Sequence, residues 1–269
     1  MPEITPLPAA TVTLVRDSRD GMEVLLLQRN HQSGFMPGMF LFPGGALDPE
    51  DAAAEVVDLC CGLDEQQAAA ALGTAAGPLA YWAAAIRECF EEAGMLLAYD
   101  AAGELVKLKD RAVRERYAAY RAGLNAGERA FVELLRTEAL RLAADRLTYF
   151  SHWITPVGAP RRYDTRFFVA EAPAEQDALH DNRETIHHVW MSPGAALDRF
   201  RSGEFKMRTP TVKTLEDFAQ YALASRLIEG MRARREIPAI LPRINERGER
   251  VMPGDPGYED TGRAGAWKL

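Results

Sequence analysis

The chain contains 269 residues, of which 47% are hydrophobic and 26% charged, and it carries a net charge of −7 at pH 7. This composition indicates a globular protein with ample length for a core. Its acidic balance excludes a general nucleic-acid binder, which needs a basic surface. Three cysteines are too few for a disulfide framework, and no apolar run approaches the roughly 18 residues that span a bilayer. The first residues lack the basic and apolar regions of a signal peptide, so we expect a cytoplasmic protein without a nucleic-acid or membrane partner.

Hydrophobic periodicity predicts the secondary structure in chain order. Two strands, a loop rich in glycine and proline, and a long helix are predicted at 10–16, 23–29, 33–45 and 79–97. Two more helices are predicted at 111–122 and 127–146, followed by strands at 149–155, 165–171 and 185–191. A helix that begins at Ser192-Pro193, a helix within 209–235 and an extended strap complete the chain. Because strands come before and after helices without regular alternation, we expect an α/β fold with a mixed sheet.

The long predicted helix carries three carboxylates on one face. At about 100° per residue, Glu88, Glu91 and Glu92 lie within a sector about 100° wide. The opposite face is apolar and holds Trp82, Ile86, Cys89, Phe90, Ala93 and Leu97. The helix is therefore expected to pack on a sheet and to direct the three carboxylates outward together. Like charges at this spacing repel each other, and a divalent cation would relieve the repulsion. From this helix alone, a solvated acidic surface remains the alternative to a metal site.

Nine residues of this helix, together with glycines upstream, resemble the Nudix hydrolase signature. Arg87–Met95, which reads Arg-Glu-Cys-Phe-Glu-Glu-Ala-Gly-Met, matches every specified position in the second half of that signature. Phe42–Gly45 supplies the glycines of the first half. There the chain departs from the pattern, because Asp51 stands in place of Glu and residues 52–86 intervene where the pattern has seven residues. The signature is therefore interrupted by an insertion.

This interruption indicates a long form of the Nudix family that resembles the mammalian peroxisomal coenzyme A diphosphatases. The stretches 25–45, 150–171 and 208–219 support the resemblance. It implies a Nudix α-β-α sandwich with a mixed sheet, folded as a single domain over residues 1–269. The excess length is assigned to helical insertions at about 52–79 and 104–147 and to a C-terminal extension, at about 205–269, that holds a helix and the strap. We expect the alanine-rich residues 52–79 to form short helices beside the active site and to shape access to it.

The resemblance implies metal-dependent hydrolysis of a diphosphate bond in a nucleoside diphosphate derivative. Coenzyme A or an acyl-coenzyme A is the first candidate, giving 3′,5′-ADP and (acyl-)phosphopantetheine. A second signature of coenzyme A-cleaving Nudix proteins is matched at Leu26-Leu27, Arg29, Gly38 and Phe42–Gly45. However, Gly34 stands where that signature has a further Arg. ADP-ribose, a nucleotide sugar or a dinucleotide is therefore an open alternative substrate. A non-catalytic Nudix module that senses a nucleotide is the alternative of another class.

The resemblance also implies a metal site on the predicted helix. Glu88, Glu91 and Glu92 would hold Mg²⁺ or Mn²⁺, which prefer oxygen ligands. Glu88 and Glu91 are also assigned to catalysis. Arg87 would pair with a carboxylate and fix its rotamer, as groups behind a metal ligand do.

Residues outside this helix complete the implied site. Glu184 is the candidate for a catalytic base on a later loop, with Asp181 and His187 as weaker candidates. The candidate substrate contacts are Arg29, Gly44, Gly45 and Arg162, because guanidinium groups suit phosphate oxygens and glycine allows a close approach. A surface position without function remains the alternative for Glu184, Arg29 and Arg162. The oligomeric state stays open between a monomer and a homodimer.

Overall fold

A mixed sheet of eight strands forms the centre of the computed structural model, which describes residues 4–34, 36–74, 76–245 and 247–258. In chain order the strands are β1 (Leu7–Ser18), β2 (Gly21–Arg29), β3 (Phe40–Leu41), β4 (Gly44–Ala46), β5 (Ala98–Tyr99), β6 (Arg141–Leu142), β7 (Thr148–Ile154), β8 (Tyr163–Glu171), β9 (Thr185–Met191), β10 (Ala239–Ile240), β11 (Arg243–Ile244) and β12 (Arg250–Val251). The main sheet runs in the order β10-β7-β8-β1-β2-β3, while β4 pairs with β1 and β9 pairs with β2. The β1–β8 and β7–β10 pairs are parallel and the others in this sheet are antiparallel, as expected for a mixed sheet.

Helices cover both faces of this sheet. They are α1 (Ala54–Val57), α2 (Glu65–Leu72), α3 (Ala80–Ala93), α4 (Arg111–Asn125), α5 (Phe131–Thr137), α6 (Pro193–Arg201), α7 (Thr209–Phe218) and α8 (Ala224–Arg232), with 3₁₀ turns at Pro49–Ala52 and Ala144–Arg146. Along β2, Leu25 and Leu27 share one buried cluster with Phe90 of α3, whereas Leu26 shares another with Leu215 of α7. This period of two is that of a strand. The architecture is the predicted α-β-α sandwich.

The helices predicted at 79–97 and within 209–235 are longer than the helices that form. The helix predicted at 79–97 ends at Ala93, where Gly94 adopts the left-handed conformation (φ 69°) and donates its N–H to the carbonyl of Phe90. The helix predicted within 209–235 is two helices, α7 and α8. The carboxylate of Asp17, far away on β1, accepts the N–H of Ala224 and fixes the start of α8. A tertiary contact therefore ends a pattern that is continuous in the sequence.

The prediction of a helix at 127–146 is wrong beyond Thr137, where α5 ends. Ala139 has a positive φ of 52°, and β6 then pairs with β5. Leu142 is fully buried, donates its N–H to the carbonyl of Leu59 and accepts the N–H of Cys61. These long-range backbone hydrogen bonds outweigh the local helical pattern, because helix propensity is a weak preference.

The two insertions lie in different places. The 52–79 insertion contains α1 and α2, the predicted short helices, and its buried Val56, Ala68 and Leu72 join the core cluster that includes α3. The 104–147 insertion contains α4 and α5.

In the C-terminal extension β10 extends the sheet and β11 pairs with β12, while residues 259–269 lie outside the described residues. None of the helices in the described ranges is long and apolar enough to cross a membrane.

Candidate active site

Three carboxylates of α3 line one cavity of about 240 Å³. The cavity is lined by Glu88, Glu91, Glu92, Leu124, Asn125, Asp181, Arg183 and Glu184. The helix presents these carboxylates together because its opposite face, including Ile86 and Phe90, is buried in the core. The sequence predicts outward-facing side chains, but Glu92 is only 4% exposed. The carboxylates therefore face a polar, partly sheltered cavity rather than lying on an open surface.

Arg87 links this cluster to the interrupted half of the signature. Its Nε and Nη2 each donate to one oxygen of Asp51 at 2.9 Å, which makes a two-point ion pair. Its Nη1 donates to Glu88 at 2.8 Å and to Glu91 at 3.3 Å. Burial would lower the pKa of Arg87, but its hydrogen bonds to Asp51 and the charges of the neighbouring carboxylates raise it above its ordinary value. Asp51 is 1% exposed. From the sequence it is only a departure from the signature and is not predicted as the partner of Arg87, although its position after Gly45 could have indicated this role.

The carboxylates are poorly solvated in this arrangement. Burial raises the pKa of Glu88 to about 7, although the charge of Arg87 opposes the shift. Burial also raises the pKa of Glu91 above its ordinary value, again against Arg87. For Glu92, burial and the charge of Glu88 raise the pKa well above its ordinary value, despite a hydrogen bond from the N–H of Gly44. Bringing a cation into the cavity would favour the ionised form of all three.

The donor set suits a hard divalent cation. Carboxylate oxygens are the ligands that Mg²⁺ and Mn²⁺ take in proteins. Within the described ranges, however, no three His, Cys, Asp or Glu side chains are already arranged to hold a metal ion. The cause is local, because Arg87 engages Glu88 and Glu91, and Oε2 of Glu92 accepts the N–H of Gly44 at 3.1 Å. The residues therefore fit the ion chemically, and to hold it Glu88 and Glu91 would exchange contacts with Arg87 for contacts with the ion.

Gly44 and Gly45 belong to β4, which pairs with β1 and contacts α3. A Cβ added to Gly45 would lie 2.5 Å from Oε1 of Glu88. A Cβ added to Gly44 would lie 2.5 Å from the backbone oxygen of Ala10. Both glycines therefore permit close approach, one to the carboxylate helix and the other to the neighbouring strand.

The loop before β9 brings Glu184 to the cavity. The carboxylate of Asp181 accepts the backbone N–H groups of Arg183, Glu184 and Thr185 at 3.1, 3.2 and 2.8 Å. Burial alone would raise the pKa of Asp181, but these hydrogen bonds lower it below its ordinary value. Asp181 thus stabilises the turn before β9. The side chain of Glu184 is 60% exposed and lines the carboxylate cavity.

A second cavity of about 230 Å³ adjoins the first. Its lining residues are Arg29, Asn30, Gln32, Ser33, Arg183 and Glu184, of which the last two also line the first cavity. Arg29 lies at the end of β2, and its Nη2 is 3.3 Å from Oε2 of Glu184. The guanidinium groups of Arg29 and Arg183 outnumber the single carboxylate of Glu184, so the lining of this second cavity carries a net positive charge and suits an anion.

Two sequence candidates lie elsewhere. Arg162 is buried, and its guanidinium donates to the carbonyls of Thr155 and Ile4 at 3.0 and 2.7 Å. It lines neither cavity, so the structure does not bring it to the carboxylates. His187 is exposed on β9 and lines neither cavity.

The 104–147 insertion, rather than 52–79, reaches the site. Leu124 and Asn125 of α4 line the carboxylate cavity, whereas described residues of 52–79 line neither cavity. Arg121 of α4 donates through Nε to the backbone carbonyl of Glu91 at 2.8 Å. Sequence reasoning missed these residues because nothing in the α4 pattern distinguishes them from other polar positions on a surface helix.

Comparisons with known proteins agree with this geometry. The sequence model of the family described as "NUDT19 Nudix domain" matches residues 64–217, which include α3 and the loop before β9. Two similar proteins are named acyl-coenzyme A diphosphatase NUDT19. That of Xenopus laevis is 26% identical over 88% of this chain and 72% of its own, and that of Gallus gallus is 28% identical over 88% and 74%. A crystal structure of a NUDIX hydrolase from Alicyclobacillus acidocaldarius is 26% identical with a TM-score of 0.70, over 84% of this chain and 96% of that chain.

Proposed function

Because the chain belongs to the NUDT19 Nudix domain family of Nudix hydrolases, we propose that it hydrolyses the diphosphate bond of coenzyme A or an acyl-coenzyme A. One observation carries the proposal: the helix carboxylates Glu88, Glu91 and Glu92 share a cavity with the loop carboxylate Glu184. The activity named for the two relatives supports the substrate class. The products are then 3′,5′-ADP and (acyl-)phosphopantetheine.

The reaction adds water to one phosphorus of the diphosphate and breaks the bond from that phosphorus to the bridging oxygen. Glu88, Glu91 and Glu92 would hold Mg²⁺ or Mn²⁺ beside it. When bound, the ion supplies positive charge against the diphosphate and lowers the pKa of water. Arg87 is anchored by Asp51 and contacts Glu88 and Glu91 through its Nη1, so it would steady these two carboxylates as they take up the ion.

Residues of the two loops complete the proposed mechanism. Glu184 accepts the proton that the attacking water loses, since its carboxylate faces the same cavity and is largely exposed. Arg29 and Arg183 contact phosphate oxygens from the adjoining cavity. Arg162 is left out of this mechanism, because its guanidinium donates to backbone carbonyls outside both cavities.

A substrate screen tests the proposed function. Purified protein would be incubated with coenzyme A, an acyl-coenzyme A, ADP-ribose, a nucleotide sugar and a dinucleotide, each with Mg²⁺ and with Mn²⁺. We expect the highest kcat/KM for coenzyme A or its acyl ester. A preference for one of the other three would keep the chemistry and change the substrate. If none of these compounds is hydrolysed, the proposed enzymatic function is overturned and a nucleotide-sensing module is favoured.

Glu184→Gln tests the proposed base. We expect kcat to fall about tenfold or more, because a positioned base contributes this much or more to proton transfer, while KM stays similar. Glu175→Gln is the matched control, since Glu175 is also a loop residue, is 49% exposed and pairs with Lys109. Equal activity of the two variants would remove Glu184 from the mechanism.

Alanine at the two glycines of β4 should separate activity from stability. Gly45→Ala displaces the end of the flexible Glu88 side chain, so we expect a loss of kcat with less than about 1 kcal/mol lost in the free energy of unfolding. Gly44→Ala meets the backbone of β1, which cannot yield easily, so we expect about 1–3 kcal/mol of destabilisation. Urea unfolding and kcat, measured on both variants, check the contrast. The opposite ranking in stability would refute it.

A further inference from the structure

The last three carbonyls of α3, those of Glu91, Glu92 and Ala93, accept hydrogen bonds from other parts of the chain. The last carbonyls of a helix have no partner within it and need one elsewhere. The carbonyl of Ala93 accepts a hydrogen bond from the N–H of Leu179 at 2.8 Å. The carbonyl of Glu92 accepts one from the hydroxyl of Thr185 at 3.2 Å. The carbonyl of Glu91 accepts hydrogen bonds from two side chains of helix α4. The helix that carries the metal carboxylates is thereby joined to two other parts of the chain.

The two α4 side chains are Arg121 and Asn125. Nε of Arg121 lies 2.8 Å from the Glu91 carbonyl oxygen, and Nδ2 of Asn125 lies 3.2 Å from it. Arg121 is 8% exposed, and Gly94 leaves room for it: a Cβ there would lie 3.0 Å from its Nη1. The end of α4 also holds the loop, because the guanidinium of Arg183 donates to the carbonyl of Asn125. One turn of α4 therefore contacts both α3 and the loop that carries Glu184.

The charge of Arg121 is also placed between these elements. The carboxylates of Asp181, Glu92 and Glu91 all lie close enough to interact with its guanidinium. A cation at a helix C-terminus is favourable. Nη2 of Arg121 is buried without a hydrogen-bond partner in the described ranges, so full pairing of its own donors does not account for its buried position. Its position is fixed by the surrounding elements at the cost of one unpaired donor.

We propose that Arg121, assisted by Asn125, is a positioning residue that sets the last turn of α3 against the loop before β9. This fixes Glu91 and Glu92 relative to Glu184. Arg121 does not line the cavity, so it acts through those side chains and not on the substrate. The catalytic consequence rests on the proposed function, while the structural coupling of α3 to the loop does not. The 104–147 insertion is then part of the active-site framework.

The test compares Arg121→Met and Arg121→Lys with Arg114→Met, which removes an exposed arginine from the same helix. Hydrogen–deuterium exchange would be followed in peptides over 90–97 and 179–187, with α8 as an internal reference. In Arg121→Met we expect hydrogen–deuterium exchange to be at least about tenfold faster in both peptides and unchanged in α8. We expect kcat to fall about tenfold or more while KM stays within about twofold, because small displacements of reacting groups are costly.

The lysine variant separates positioning from simple charge at the helix end. Lysine keeps the charge but loses the planar fork, so kcat should stay well below the wild-type value. Full rescue by Lys would overturn the proposal in favour of charge alone. Unchanged exchange in both peptides would overturn it as well. If Arg121→Met does not fold, Arg121→Lys carries both measurements, and Asn125→Ala carries the exchange measurement alone because Asn125 lines the cavity. If the wild type hydrolyses no substrate, the proposed function fails, but the exchange pattern still decides whether Arg121 couples α3 to the loop.

Discussion

Changing Glu91 to Gln is expected to lower kcat at least about 10²-fold, and Glu88→Gln should do the same, as expected for loss of a metal ligand or catalytic base. Both carboxylates face the cavity on adjacent turns of α3, and both are partners of Arg87. Gln keeps the size of each side chain but removes the negative charge that a divalent cation requires. Steady-state kinetics over a range of Mg²⁺ concentrations would measure the effect. The apparent affinity for Mg²⁺ should fall together with kcat.

These losses should not come from unfolding. Removing one of several neighbouring like charges on a helix relieves repulsion, so the metal-free variants should unfold at a free energy close to or above that of the wild type. Glu115→Gln, an exposed position on α4 that pairs with Arg111, is the matched control and should keep full activity. Near-wild-type kcat in both Glu88→Gln and Glu91→Gln would refute their roles. Loss of folding in either would instead point to a purely structural cluster.

The parts of the fold that the sequence predicts well are those governed by local periodicity. The strand at 185–191 forms with those bounds, because its pattern is short and its ends are marked by a turn and by Ser192-Pro193. The carboxylate face of α3 follows from helical spacing alone. The candidate base Glu184 lies at the same cavity because a loop directly before a strand edge is fixed by that strand.

The parts that the sequence does not predict depend on contacts between distant segments. The helix predicted to 146 ends at Thr137 because Leu142 pairs with Leu59, more than 80 residues earlier. The role of α4 at the site depends on where Arg121 meets the end of α3, which no periodicity reveals. Arg162 shows the converse: an arginine beside a strand suits phosphate on chemical grounds, yet its donors bind backbone carbonyls. Residue type restricts the chemistry, but tertiary packing selects which residues meet.

The second large effect concerns the ion pair between Asp51 and Arg87, for which we expect Asp51→Asn to cost about 3–5 kcal/mol in the free energy of unfolding. Asp51 is 1% exposed, accepts two donors of Arg87 and also accepts the N–H of Asp48 at 2.7 Å. The amide would remove the most buried of the three counter-charges of Arg87 and would turn its own NH₂ group, a donor, towards another donor. Arg87 would then be drawn more strongly to Glu88 and Glu91, so the apparent affinity for Mg²⁺ should also fall.

Urea unfolding of Asp51→Asn beside Glu216→Gln measures the expected difference. Glu216 forms an exposed pair with Lys213 at 2.7 Å, and exposed pairs contribute about 0.2–1 kcal/mol, so its loss should be small. Asp51→Glu restores the residue of the family signature and keeps the charge, but it adds a methylene to a side chain that is only 1% exposed. The free energy of unfolding lost in Asp51→Glu should therefore be about 1–3 kcal/mol, between the losses in Glu216→Gln and Asp51→Asn. Equal costs for Asp51→Asn and Glu216→Gln would mean that the buried pair does not hold Arg87, and that the metal carboxylates alone orient it.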